Sequence, residues 1–223
     1  MKEKKIKIWK IVLGVIVLIF FLFVIFLTRK MIILSSLENK LAGYQEKNNI
    51  YVKTEITDSE NNTTFEKYYK DGIEKDVLSI PNREEKITQY LYDNERKLYV
   101  EKGDKKTVTT TEKPEEIVAS VLVSYTSYEN FWQLLFNSIT SSITTAQLDG
   151  KECYVISSSY NLNFIYEGDS DTVKVYIDKE TGLALKCEEV NNNRITKYQY
   201  SFDTVQDEDL KEPDMEQYTK ENV

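Results

Sequence analysis

The sequence predicts an α+β protein: an N-terminal transmembrane helix followed by a domain of antiparallel strands that a helical segment interrupts. Three observations carry this. Seventeen consecutive apolar or small residues run from Ile11 to Leu27; from Ile50 onward the apolar period is two; and near residues 128–140 that period gives way to helical spacing.

The run Ile11–Leu27 covers roughly 26 Å as a helix, and Ile8, Trp9 and Thr28 extend it to the hydrocarbon thickness of a bilayer. Trp9, Ile11 and Leu27 mark the anchor's ends, with Lys10 and Arg29 closing them. Lys2, Lys4, Lys5, Lys7 and Lys10 precede the run and only Arg29 and Lys30 follow it, so the positive-inside bias keeps the N-terminus cytoplasmic. The rest of the chain then lies outside the cytoplasm of a single-pass plasma-membrane protein. A cleaved signal peptide is the competing reading, but the run is long and Thr28–Met31 holds no small-residue cleavage pattern. The expected division is a basic tail (1–10), a signal anchor (11–28), an extracytoplasmic domain (31–215) and a flexible tail (216–223).

Net charge is −8, and the first thirty residues carry +6, which leaves −14 on the outer part. Such a body repels phosphates and anionic headgroups, so nucleic acid is not an expected partner. Histidine is absent, which removes Ser-His and Cys-His dyads and imidazole metal ligands. With seven glycines in the chain and no Gly-rich phosphate loop, nucleotide binding is not indicated either. Asp169 with Asp171, and Asp207 through Asp209, lack EF-hand spacing and read as solvated loop carboxylates. No enzyme activity, metal or cofactor is expected.

After the anchor, Leu34, Leu37, Leu41 and Tyr44 recur at helical spacing, with Gly43 and Asn48-Asn49 as stop signals. One and a half heptads make a poor coiled-coil stalk, so this helix is expected to pack on the protein's own sheet. A meander follows: IYVKTEIT, FEKYYK, IEKDVLSI ended by Pro81, ITQYLYD with a turn at Asn94, KLYVEK with a turn at Gly103-Asp104, and KTVTTTE. The segment from Pro114 to Gln147 reads mainly as helix, although VLVSY also fits an extended lead-in. Within it Phe131, Trp132, Leu135, Phe136 and Ile139 share one face. That face either caps the core or lines a lipid groove. Strands resume in KECYVISSSY, NFIYEG, VKVYIDK, LALKCEEV and RITKYQYSF, before an acidic, irregular end.

Cys153 and Cys187 fall in the outer part, where an oxidising compartment permits a disulfide. If the strand between them in sequence also lies between them in the sheet, their α-carbons are about 9 to 10 Å apart, too far to bridge. Both a disulfide and two buried thiols stay open.

The most informative string is VKVYIDKETGLALKCEEV, a hairpin in which Gly182 supplies the positive φ its turn needs. Followed by a Tyr-rich strand and a stretch ending in Pro213-Asp214, it resembles the end of the LolA, LppX and RseB superfamily. The order of elements is similar too. The resemblance implies an unclosed β-barrel, a half-barrel covering helices, with an apolar concavity that takes acyl chains in carrier members; related germination lipoproteins bind proteins instead. Taken with the anchor and the helix face read above, it points to a membrane-anchored lipid- or lipoprotein-binding domain at the outer leaflet, with acyl chains as partners and Phe131, Trp132, Leu135, Phe136 and Ile139 lining the site. The alternative is a docking or sensory ectodomain of the same fold, with its groove filled and another extracytoplasmic protein as partner. A tether by a helix argues against soluble carriage.

Overall fold

Forty-four residues, Lys2–Gln45, form one uninterrupted helix, α1. The segment contains no proline, and its two glycines are tolerated singly. Its length is about 66 Å at 1.5 Å per residue. Two kinds of surface succeed each other along it. From Trp9 through Phe26 its apolar side chains are exposed, and the helix is long and apolar enough to cross a membrane. From Lys30 the pattern inverts: Leu34, Leu37 and Leu41 are at most 2% exposed. The helical spacing found in the sequence therefore places these leucines on the sheet. In this computed structural model the described residues are 2–59, 61–92, 95–112, 122, 125, 128, 130–158, 172–190 and 193–221.

Twelve strands form one sheet: β1 (Asn49–Thr57), β2 (Asn62–Lys70), β3 (Ile73–Ile80), β4 (Glu85–Leu91), β5 (Glu95–Lys102), β6 (Lys105–Glu112), β7 (Ser141–Leu148), β8 (Lys151–Ser158), β9 (Val173–Asp178), β10 (Ala184–Glu189), β11 (Arg194–Phe202) and β12 (Thr219–Lys220). A second helix, α2 (Phe131–Thr140), precedes β7. The order across the sheet is β12-β6-β5-β4-β3-β2-β1-β11-β10-β9-β8-β7. All pairings are antiparallel except β12 on β6. Among the described residues the sheet is unclosed, with β7 at one edge and the two-residue β12 at the other.

Alternation along the strands divides the core between two faces. Ile156, Val175, Cys187, Tyr198 and Val52 share the face on which α1 lies, and Leu34 and Leu37 pack with Ile156, Val175, Ile177, Ala184 and Tyr198. Leu41 meets Ile50, Val52, Leu122 and Leu183. On the opposite face, Tyr90, Tyr99 and Val108 of β4–β6 are covered by the C-terminal segment through Tyr218 and Met215. That segment, expected to be irregular, holds two short 3₁₀ turns, Asp207–Leu210 and Met215–Gln217, before β12.

Elsewhere the structure differs from the expected elements. SSITTAQL, read as the end of the helical segment, is the edge strand β7. Its β-branched Ile143, Thr144 and Thr145 suit an extended chain, and its pairing with β8 outweighs the apolar spacing that suggested helix. The expected strand NFIYEG, the turn at Asn94 and most of residues 113–129 lie outside the described residues.

Candidate functional site

Helix α2 begins where the Asn130 side chain accepts a hydrogen bond from the Gln133 backbone N–H at 3.0 Å, an N-cap. Its last turn is closed by its own side chains. Ser138 Oγ donates to Leu134 O at 2.7 Å, Thr140 Oγ1 to Phe136 O at 2.9 Å and Ser141 Oγ to Asn137 O at 2.5 Å. At that end α1 supplies a cation: Lys30 Nζ donates to Ser138 O at 3.0 Å and Ser141 O at 2.5 Å. Carbonyls at a helix C-terminus carry partial negative charge and lack helical partners, so a buried ammonium there is both paired and stabilising. Burial holds the Lys30 pKa below its ordinary value. At the other end, Glu38 Oε1 accepts from the Tyr128 backbone N–H at 3.2 Å. α2 thus runs back along α1 toward the apolar run.

The face expected to enter the concavity points away from it. Phe131, Trp132, Phe136 and Ile139 are exposed, Trp132 at 73%, and Leu135 is half-buried. The side that meets the protein is Leu134, packed on the core, and Ser138, fully buried. The reason is the space left by α1: its leucines already cover β1 and β8–β11 on that face, so α2 settles beside α1 through Leu134, a small residue and a lysine. The exposure of Phe131, Trp132, Phe136 and Ile139 is not that of a core cap.

Between the two helices lies an open groove of about 840 Å³ lined by Thr28, Met31, Ile32, Ser35, Phe131 and Leu134, among others. A smaller groove of about 400 Å³ continues along α1 past Val24, Ile25 and Ile33. A third, of about 520 Å³, lies at the far end of the sheet beside Tyr44, Leu183, Tyr200 and Phe202.

The edge strand β7 completes this region. It pairs with β8 alone among the described residues, and its eight residues include no charge, proline or glycine. Edges are ordinarily blunted by such residues, so among the described residues β7 presents an unguarded row of backbone donors and acceptors. No sequence rule used above singled it out. The absence of lysine across eight strand-like residues was the available signal.

Polar groups elsewhere form two clusters. On the α1 side of the sheet, Lys67 Nζ sits 2.7 Å from Glu74 Oε1 and 3.6 Å from Asp76 Oδ1, and burial pushes the Asp76 carboxyl up to about 7. On the other face, Glu212 accepts from Tyr92 Oη at 2.5 Å, Tyr99 Oη at 2.7 Å and Lys97 Nζ at 2.9 Å. Cys153 and Cys187 are both free and buried. β9 separates their strands, and the register turns them to opposite faces, so no disulfide joins them. Burial raises the pKa of both thiols. No group of three or more His, Cys, Asp or Glu among the described residues is placed to hold a metal. Asp207 and Asp209 lie on the first 3₁₀ turn, where Lys70 pairs with Asp207 at 2.5 Å, while Asp169 and Asp171 lie outside the described residues.

No protein-family model matches this sequence. No curated protein matches it. Similar chains occur among solved structures. An uncharacterized conserved protein from Thermus thermophilus superposes with a TM-score of 0.52 at 7% identity, over 85% of this chain and 98% of that one. That likeness establishes a shared fold. Two structures of MucB with MucA, one of them from Pseudomonas aeruginosa, give a TM-score of 0.37 at 13% and 14% identity. They match over 81% and 80% of this chain, which spans 61% and 59% of theirs.

Proposed function

We propose that the protein is a membrane-anchored, extracytoplasmic docking domain without enzymatic activity, held by α1 with its N-terminus in the cytoplasm. The observation that carries this reading is that anchor and filler are one helix. The leucines of α1 occupy the sheet face where a carrier of the LolA, LppX and RseB kind keeps an acyl chain. A helix tied into the bilayer cannot vacate that place for cargo. The resemblance of the VKVYIDKETGLALKCEEV hairpin to that superfamily supports the half-barrel description, and the departure lies in the filled concavity.

Strand β7 is the proposed docking element. An extended segment of another extracytoplasmic protein would add to it as a thirteenth strand, with backbone hydrogen bonds supplying affinity and the side chains on either face of β7, Ile143 on one and Ala146 on the other, supplying selectivity. Photocrosslinking from position 144 or 147 in native membranes tests this. A discrete protein adduct that disappears on Thr145→Pro supports docking, and adducts to lipid alone overturn it.

A second reading, local binding of lipid or lipoprotein acyl chains, draws on the open groove between α1 and α2. Its residues mix apolar Met31, Ile32 and Phe131 with polar Ser35, Ser36 and Asn39. A phospholipid of defined mass retained through exchange into a lipid-free detergent would favour it.

A further inference from the structure

We propose that α2 is a second membrane contact, standing beside α1 at the outer-leaflet boundary with Phe136 and Ile139 turned into lipid and Trp132 at headgroup level. The inference rests on the reading of α1 as a membrane span and adds a site to it.

Three observations bear on it. The first is polarity. On a helix packed against a water-soluble domain the apolar stripe faces inward and the polar one outward. In α2 Leu134, a fully buried Ser138 and the half-buried Asn137 face the protein, so one leucine is turned inward while two phenylalanines, a tryptophan and an isoleucine face out. That arrangement suits an apolar solvent.

The second is level. Lys30 stands three residues beyond Leu27, the last residue of the apolar run, and its ammonium holds the carbonyls that end α2. Its Nζ also lies 4.8 Å from the Phe26 ring centroid. The C-terminal end of α2 is therefore pinned where the span leaves the hydrocarbon. Because α2 climbs from there toward Glu38, Ile139 and Phe136 sit deepest and Trp132 about 9 Å higher. Headgroup level is where tryptophan is enriched, and interfacial helices bury their apolar face about 5 to 10 Å into this boundary.

The third is the distribution of the remaining apolar surface. Outside the anchor and α2, the exposed large hydrophobic residues among those described are Ile32, Val190 and Ile195. The register Ser141↔Ser158↔Val173↔Glu189↔Arg194 places Val190 and Ile195 at the sheet end where α2 meets β7, and Ile32 is on α1 just beyond Lys30. Exposed apolar surface is confined to the end from which the anchor departs. The bilayer that α1 enters is continuous with that end. A second copy or a partner protein would need a separate reason to seat itself there.

The chain's two tryptophans, Trp9 and Trp132, make the test direct. The full-length protein is reconstituted in phosphatidylcholine–phosphatidylglycerol vesicles as two variants, Trp9→Phe, which leaves Trp132, and Trp132→Phe, which leaves Trp9. Fluorescence is read with and without phosphatidylcholine brominated on its acyl chains. The expected result is quenching and a blue-shifted emission for both, with Trp132 quenched more by bromine near the headgroup than by bromine deep in the chain. Adding Phe136→Asp and Ile139→Asp to the Trp9→Phe background should abolish the Trp132 quenching. Quenched Trp9 with water-exposed Trp132 overturns the proposal and leaves the anchor standing. Trp132 that is blue-shifted yet unquenched means that protein covers the face, and also overturns it. Failure of both tryptophans to respond to bromine removes the anchor reading and this inference together.

Discussion

Gly182 presses its α-carbon against the backbone of α1 at Leu37. A methyl group added there would stand 2.5 Å from the Leu37 carbonyl oxygen and 3.1 Å from Lys40 Cβ, and the residue's φ is +76°. The hairpin between β9 and β10 thus touches the helix with nothing between them. Gly182→Ala is expected to cost about 3 kcal/mol, part from the left-handed backbone and part from lifting the turn off the helix. Urea melts of the full chain in detergent would show it, and an unchanged midpoint would mean the turn does not bear on α1.

Leu37 and Trp132 should behave oppositely although both belong to apolar helical stripes. Leu37 is buried among Ile156, Val175 and Ile177, so Leu37→Ala should lose about 2 to 5 kcal/mol. Trp132→Glu on the exposed face should leave the domain's stability within about 0.5 kcal/mol. Thermal melts of the two variants side by side decide it.

Glu212 straps the C-terminal segment to β4 and β5 through Tyr92, Tyr99 and Lys97. Burial pushes its pKa up, but these hydrogen bonds outweigh that and hold it below the usual glutamate range. A folded-state pKa that is depressed stabilises above the unfolded value and is lost as pH falls through the folded one. The strap should therefore loosen as pH falls below the ordinary glutamate range. Glu212→Ala is expected to cost about 2 to 3 kcal/mol at neutral pH and to raise amide exchange in residues 205–221.

Asp76 carries the opposite sign. Burial raises its folded pKa to about 7, against the opposing pull of Lys67. The group favours folding while protonated, so its contribution is full below the unfolded value near 4 and declines as pH rises to about 7. Asp76→Asn should flatten the stability profile across that window, by on the order of 4 kcal/mol between its ends. Denaturant midpoints at pH 4.5, 6 and 7.5 measure this. Parallel profiles for the two proteins would exclude Asp76 as the titrating group.

Much of the architecture was legible because its residues obey one period at a time. Ile50, Val52 and Thr54 alternate in β1, and Leu34, Leu37 and Leu41 recur as helix and pack on the sheet. Gly182 announced its positive φ through the Asp178–Gly182 turn, but its contact with Leu37 involves residues 145 positions apart and has no local sign. SSITTAQL was concealed by following a helix with no intervening turn residue, and only its partner β8 makes it a strand. The stripe Phe131–Ile139 was visible, yet its direction was not. Periodicity tells which residues share a face and is silent on whether protein or another medium lies beyond it. The buried Lys30 is the extreme case, since a lysine ending an apolar run reads as a topology signal until its ammonium meets the carbonyls of Ser138 and Ser141.

The unbroken course of α1 also makes the domain's compass bearing a matter of counting residues. With no hinge between Leu27 and Leu34, the azimuth of the sheet is locked to the phase of the apolar run. One residue inserted between them would swing the domain by about 100° and raise it about 1.5 Å, whereas seven would nearly restore the bearing one storey higher. A torque or a tilt on either part is a torque or a tilt on both. The molecule behaves as a key on its shank, and the edge strand β7 faces one direction for as long as that helix stays whole.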